Sequence, residues 1–194
     1  MRHSIELRNF SFTARHSVAF PESEGNPDGL WFVEDFHAHE FHVSMRIAGV
    51  LDASGCVVDF RVASAALRKV LAKLEGATIL SRWRGARYEV SDELVVVRYD
   101  KASNVREDTF PVAEVVWFDR ENASAELLAE EILKAWLEQA AFGEDKRYSV
   151  ALTLEEEPDC FATAEMDEDD VAAWNASRRN GETATRFTWR RFGD

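Results

Sequence analysis

Residues 4–19 alternate in the manner of a strand: Phe10, Phe12, Ala14 and His16 fall on one face, while Arg8, Ser11, Thr13 and Arg15 include its polar alternatives. A histidine thus closes an apolar face. The stretch PESEGNPDG from Pro21 to Gly29 is rich in turn formers and reads as the link to a second strand. That strand spans about Phe36 to Leu51, with His37, His39, Phe41, Val43, Met45 and Ile47 on one face and Glu40, His42, Ser44 and Arg46 on the other. After a turn at Asp52 to Gly55 the period changes. Ala63, Leu67, Val70, Leu71 and Leu74 form the stripe of a helix over about 61–75, and Gly76 ends it.

Between about 81 and 121 three β-rich stretches stand apart, Arg87 to Val90, Glu93 to Tyr99 and Val112 to Phe118, with polar turns between them. Their pairing is not legible. A second helix is expected over about 124–140, with Asn122 or Ser124 as its N-cap, a stripe of Leu128, Ile132, Ala135 and Trp136, and Gly143 beyond its end. Tyr148, Val150, Leu152, Leu154 and Glu156 then share a face of another strand, and residues 160–165 can supply one more. The order is ββ, α, an insertion, α, ββ. This predicts one α+β domain over 1–165, an antiparallel sheet packed by two helices, with a C-terminal extension over 166–194.

Charge narrows the ligand class. With 23 Lys and Arg against 36 Asp and Glu, the net charge of −13 disfavours nucleic acid and anionic membrane, leaving a small molecule as the expected partner. No apolar run reaches the roughly 20 residues of a membrane span, and the N-terminus lacks the apolar core of a signal peptide, so a cytoplasmic location is expected. Cys56 and Cys160 have no C-x-x-C spacing and are expected to be reduced, buried and inert.

His37-Ala38-His39 on a strand projects two imidazoles from one face, close enough to share an ion. Antiparallel pairing with the preceding strand would bring His16 to the same point. Three neutral nitrogens suit zinc and leave one position open, as in catalytic sites. The pattern is also that of ordinary strand histidines, and by itself it leaves both readings open. Glu156 on an apolar face is either a buried acid with a partner or a misread register; if buried, its carboxylate suits paired N–H donors of a heterocycle. Glu34, three residues before His37, is a candidate acid or base or else a solvated loop acid. The acidic run Glu165 to Asp170 lacks the glycine and glutamate positions of a calcium loop and reads as a solvated turn.

Five segments in order resemble the 6-pyruvoyl tetrahydropterin synthase and 6-carboxytetrahydropterin synthase family. Phe12-Thr13-Ala14-Arg15-His16 is similar to F-x-A-A-H, and Phe36-His37-Ala38-His39-Glu40-Phe41 to L-H-G-H-x-Y. GCVVDF over Gly55 to Phe60, NASAE over Asn122 to Glu126, and Glu156-Glu157-Pro158 resemble G-x-V-x-D-F, N-P-T-x-E and E-T-P. The resemblance covers about residues 8–165 apart from the insertion. It implies the T-fold (ββααββ), zinc on His16, His37 and His39, a homo-oligomer, commonly a hexamer, and a pterin held by Glu156.

Departures from the pattern bear on activity. The family's cysteine, four or six residues before the H-x-H, falls on Val33 or Trp31, and its L-D-H appears as Leu74-Glu75-Gly76. One branch instead uses glutamate in E-x-x-H-G-H and cleaves the pterin side chain, and Glu34-Asp35-Phe36-His37-Ala38-His39 resembles that spacing. Glu34 is therefore the first candidate acid or base and Glu75 the second. The resemblance implies a zinc-dependent lyase acting on 7,8-dihydroneopterin triphosphate or a related pterin; the alternative is a non-catalytic pterin- or purine-binding T-fold protein.

Overall fold

Leu7 and Phe10 are both buried although they stand three positions apart, so the first strand, β1 (His3–His16), must change phase between them. Asn9 does this with φ 63°, a left-handed conformation that asparagine tolerates better than most residues. From there Phe10, Phe12, Ala14 and His16 stay on the inner face. A computed structural model describes the chain except residues 22–30, 84, 102–103, 141, 143–145, 180–188 and 192–194. Most of the expected Pro21–Gly29 turn, and Gly143, lie outside the described residues.

After β1 come β2 (Ala19–Pro21), β3 (Trp31–Val33), β4 (His37–Gly49) and the first helix, α1 (Phe60–Leu71). Next is β5 (Ala77–Ser81), and the inserted region holds β6 (Arg87–Val90), β7 (Leu94–Lys101), β8 (Asn104–Pro111) and β9 (Val115–Phe118). Then follow α2 (Ala125–Gln139), β10 (Tyr148–Glu157), β11 (Cys160–Met166), α3 (Glu168–Arg179) and β12 (Trp189–Arg191). The expected ββ, α, insertion, α, ββ order is present. The chain packs as two compact units, and β1 and β4 each run from one into the other.

The first unit comprises residues 1–12, 40–75 and 125–186. Its strands lie in the order β11-β10-β4-β1, with β10 antiparallel to both β11 and β4. Phe12 stacks on Phe41 with ring centroids 4.9 Å apart. Asp59 begins α1 by accepting the Arg61 N–H at 2.8 Å, and Ala63, Leu67, Val70, Leu71 and Leu74 are buried as their spacing requires. On α2, Trp136 is buried and donates its indole N–H to the Ala63 carbonyl at 3.0 Å, which joins the two helices. Gly49 admits no side chain, because a Cβ there would meet the Arg147 carbonyl oxygen at 2.6 Å.

Two expectations fail in this unit. The acidic run is not a free turn: Asp167 accepts the N–H groups of Asp169 and Asp170 at 2.8 Å and starts α3, whose first-turn Glu168, Asp169 and Asp170 suit the positive end of a helix. Cys56 and Cys160 are free thiols, but both are exposed, because they fall in or beside turns rather than on an inner strand face.

The second unit comprises residues 13–39, 76–124 and 187–194. Here β1 pairs with β5, β5 with β9, and β9 with β12. The β1–β5 and β5–β9 pairings are parallel, a departure from the purely antiparallel expectation. Gly76 makes the entry to β5: its φ is 68° and its N–H donates to the Thr13 carbonyl at 2.7 Å. The strands β6-β7-β8 form a separate antiparallel sheet. Val95, Val97 and Tyr99 of β7 and Phe110 of β8 bury themselves with Leu80, Trp83 and Val115, and Phe36 packs against this cluster.

Candidate metal centre

The inner face of β1 ends on His16, which is fully buried. Its Nδ1 lies 2.8 Å from the Ala123 carbonyl oxygen. His37 and His39 open β4 on one face, two residues apart, and His37 Nδ1 lies 2.7 Å from the Asp35 carbonyl oxygen. Ring centroids are 4.9 Å apart for His16 and His37, 5.3 Å for His16 and His39, and 4.7 Å for His37 and His39. One ligand nitrogen of each ring lies within 4.8 Å of the others.

A carbonyl only accepts, so in His16 and His37 the Nδ1 carries the proton and the lone pair sits on Nε2. That is the tautomer a metal ligand requires. Around tetrahedral zinc, ligand nitrogens at about 2.0–2.1 Å from the ion stand roughly 3.3 Å apart, which small side-chain adjustments here would reach. The donor set is three neutral imidazoles, and it fits such an ion.

The carbonyl behind His16 is itself anchored. Asn122 Oδ1 accepts the N–H groups of Ala19 at 3.1 Å and Ala123 at 3.0 Å, and Nδ2 donates to the Ala19 carbonyl at 2.9 Å. Expected as one of two candidate caps for the second helix, Asn122 instead ties β2 to the residue that orients His16. Its side-chain amide accepts and donates at once, which lets one residue bond both Ala19 and Ala123.

Glu34 belongs to the same neighbourhood. Its N–H donates to the Val18 carbonyl at 3.0 Å and its carbonyl accepts the Ser17 hydroxyl at 2.8 Å, which fastens the segment entering β4 to the segment leaving β1. The carboxylate then reaches within 3.9 Å of His37 Nε2, on the ligand side of that ring. Both side chains are about one-third exposed, at 35% and 37%, so solvent and small molecules can reach them.

Within the second unit the structure therefore brings the imidazoles of His16, His37 and His39 together and sets the Glu34 carboxylate beside His37. Glu75 and Glu156 belong to the first unit. Glu75 is exposed in the turn that follows α1. Glu156 is half-buried near the end of β10, where pairing with β11 jumps from Glu155↔Phe161 to Glu157↔Cys160. Leu154 is buried, and beside this irregularity Glu155 and Glu156 are alike half-buried. His3 and His42 are exposed, as expected of surface residues. The backbone carbonyls of Ala123 and Asp35 were not among the sequence candidates, and no side-chain pattern marks them.

A family model described as 6-pyruvoyl tetrahydropterin synthase matches residues 5–167. No curated protein sequence matches. Among solved structures, the 6-pyruvoyl tetrahydropterin synthase of Plasmodium vivax superposes with a TM-score of 0.75 at 23% identity, over 86% of this chain and 99% of that one. The Plasmodium falciparum enzyme gives 0.74 at 21%, over 86% and 98%, and the Caenorhabditis elegans enzyme 0.52 at 15%, over 86% and 97%. The P. vivax protein has also been solved with a catalytic glutamate replaced by alanine, and that variant superposes at 0.74. At these identities the likeness carries the fold, which is the α+β T-fold.

Proposed function

Because the chain belongs to the 6-pyruvoyl tetrahydropterin synthase family, we propose that it is a zinc-dependent lyase acting on 7,8-dihydroneopterin triphosphate or a closely related pterin. His16, His37 and His39 hold the zinc. Glu34 moves the proton, and Glu156 holds the pterin base.

One observation carries this reading: the Glu34 carboxylate lies 3.9 Å from His37 Nε2, the nitrogen that would bind the ion. A bound zinc supplies Lewis acidity to a side-chain oxygen of the substrate. A carboxylate beside the ligand nitrogens is then within reach of a proton on that side chain, and its partial exposure lets it exchange protons with solvent. Val33 and Trp31 stand where the family's cysteine would and carry no such group. The catalytic glutamate of the P. vivax enzyme supports glutamate in this role. Glu156 accepts paired N–H donors of the base, by its likeness to the family's E-T-P glutamate. Glu75 is the second candidate for an acid or base, and the assembly is a cytosolic homo-oligomer, a hexamer by family resemblance.

Incubation of zinc-loaded protein with 7,8-dihydroneopterin triphosphate, followed by chromatography of the pterin products, tests the proposal. Conversion with loss of triphosphate or of the side chain is expected; an unchanged substrate after long incubation sinks the enzymatic reading. One observation favours a second reading, a non-catalytic pterin- or purine-binding protein: Leu74-Glu75-Gly76 stands where the family has its L-D-H, and Glu75 is exposed. Pterin binding that is lost in Glu156→Ala, with no product from the wild type, would establish it.

A further inference from the structure

We infer that the inserted sheet β6-β7-β8 is the positioning element of the metal centre, acting on the peptide group that joins Asp35 to Phe36. This rests on the zinc reading above. The carbonyl of that peptide group accepts from His37 Nδ1 at 2.7 Å and so sets the orientation and tautomer of one ligand. The segment that carries it, residues 34–36, lies between β3 and β4 and belongs to neither strand. Its backbone is tied to the segment leaving β1 at Glu34.

Both side chains flanking this peptide group are gripped from the insertion. The Phe36 ring meets Phe110 of β8 edge-on at 4.8 Å, Tyr99 of β7 at 6.4 Å and the buried Trp83 at 5.9 Å. On the other side of the peptide, the Asp35 carboxylate lies 3.8 Å from the guanidinium of Arg106 on β8. The same sheet also reaches the strand that carries His16. The guanidinium of Arg15, next in sequence to that ligand, sits 5.8 Å above the Phe110 ring.

Edge-to-face aromatic contacts fix a ring in both place and tilt, which a merely apolar contact does not. With Phe36 and Asp35 held on either side, the Asp35–Phe36 peptide group has less freedom to turn its carbonyl away from His37. Phe36, Phe110 and Arg106 are therefore positioning residues. Tyr99 is held for the same work by its hydroxyl, which donates to Asp108 at 2.8 Å.

The test is zinc affinity by chelator competition on the full chain, read beside the melting temperature of the metal-free protein. Phe110→Leu, which keeps an apolar side chain on β8 but removes the ring that meets Phe36, should weaken zinc binding about 10-fold, and Phe110→Tyr should restore it. A merely structural role would lower the melting temperature while the folded protein bound zinc as tightly as wild type. Wild-type affinity in Phe110→Leu overturns the inference and leaves the zinc reading standing. A wild type that binds no zinc overturns both. If Phe110→Leu does not fold, Arg106→Gln at the exposed Arg106–Asp35 contact takes its place; about threefold weaker binding is expected, and unchanged affinity overturns the inference.

Discussion

His16 Nδ1 lies 2.8 Å from the Ala123 carbonyl oxygen, a contact between residues 107 positions apart in the chain. It commits the imidazole to one tautomer before any ion arrives. The carbonyl cannot be removed by mutation, but its support can. Asn122→Ala deletes the three hydrogen bonds that join Ala19 to Ala123 and should weaken zinc binding about 10-fold while leaving all three imidazoles in place. Chelator competition measures this. Unchanged affinity would show that the carbonyl does not depend on Asn122.

Glu34→Gln keeps the hydrogen bonds of the backbone to Ser17 and Val18 but removes the ionisable group. Turnover should fall by about 10²-fold or more, with the zinc content unchanged. A variant that turns over at the wild-type rate would move the proton transfer to another residue. Comparison with Glu75→Gln, expected to be the milder change, ranks the two acids.

Gly49→Ala tests the fold away from the site. A Cβ at Gly49 would lie 2.6 Å from the Arg147 carbonyl oxygen, so β4 and the start of β10 must separate. Overpacking of this kind costs about 1–3 kcal/mol and should appear as a lower melting temperature of the metal-free protein. An unaltered melting curve would mean that the backbone yields there at little cost.

Asp59 makes the stability of α1 sensitive to acid. Its hydrogen bonds to Arg61, first through the side chain and then through the backbone N–H, hold its pKa at about 2 against an ordinary 3.8. Because the folded-state value is lowered, the stabilisation is complete above the ordinary pKa and fades as the pH falls from about 3.8 through about 2. Asp59→Asn should therefore flatten part of the decline in melting temperature across that window. Equal declines in the two proteins would exclude the contribution.

How much of this was legible depended on which physical signal each element carries. The period-2 pattern of β4 fixed the common face of His37 and His39, and the helical stripes of α1 and α2 matched the buried residues. β5 escaped notice because all five of its residues are buried, so ATILS has no alternation to read. β8 escaped for the opposite reason: among its residues only Phe110 is buried, and its charges read as a turn. α3 was hidden in the acidic run, although Asp167 followed by three acids is a plausible helix start. At the site, the histidines and Glu34 could be named from side-chain chemistry and spacing. The carbonyls of Ala123 and Asp35 could not, because every residue carries one and only the fold aims it.

The central claim is that one metal ion sits on His16, His37 and His39. Elemental analysis of the purified wild type and of His16→Ala, His37→Ala and His39→Ala, each with a circular dichroism spectrum to establish folding, tests it most directly. About one equivalent of zinc per chain is expected in the wild type, and near none in each folded variant. A wild type that stays metal-free after zinc loading, or folded variants that keep a full equivalent, would contradict the account.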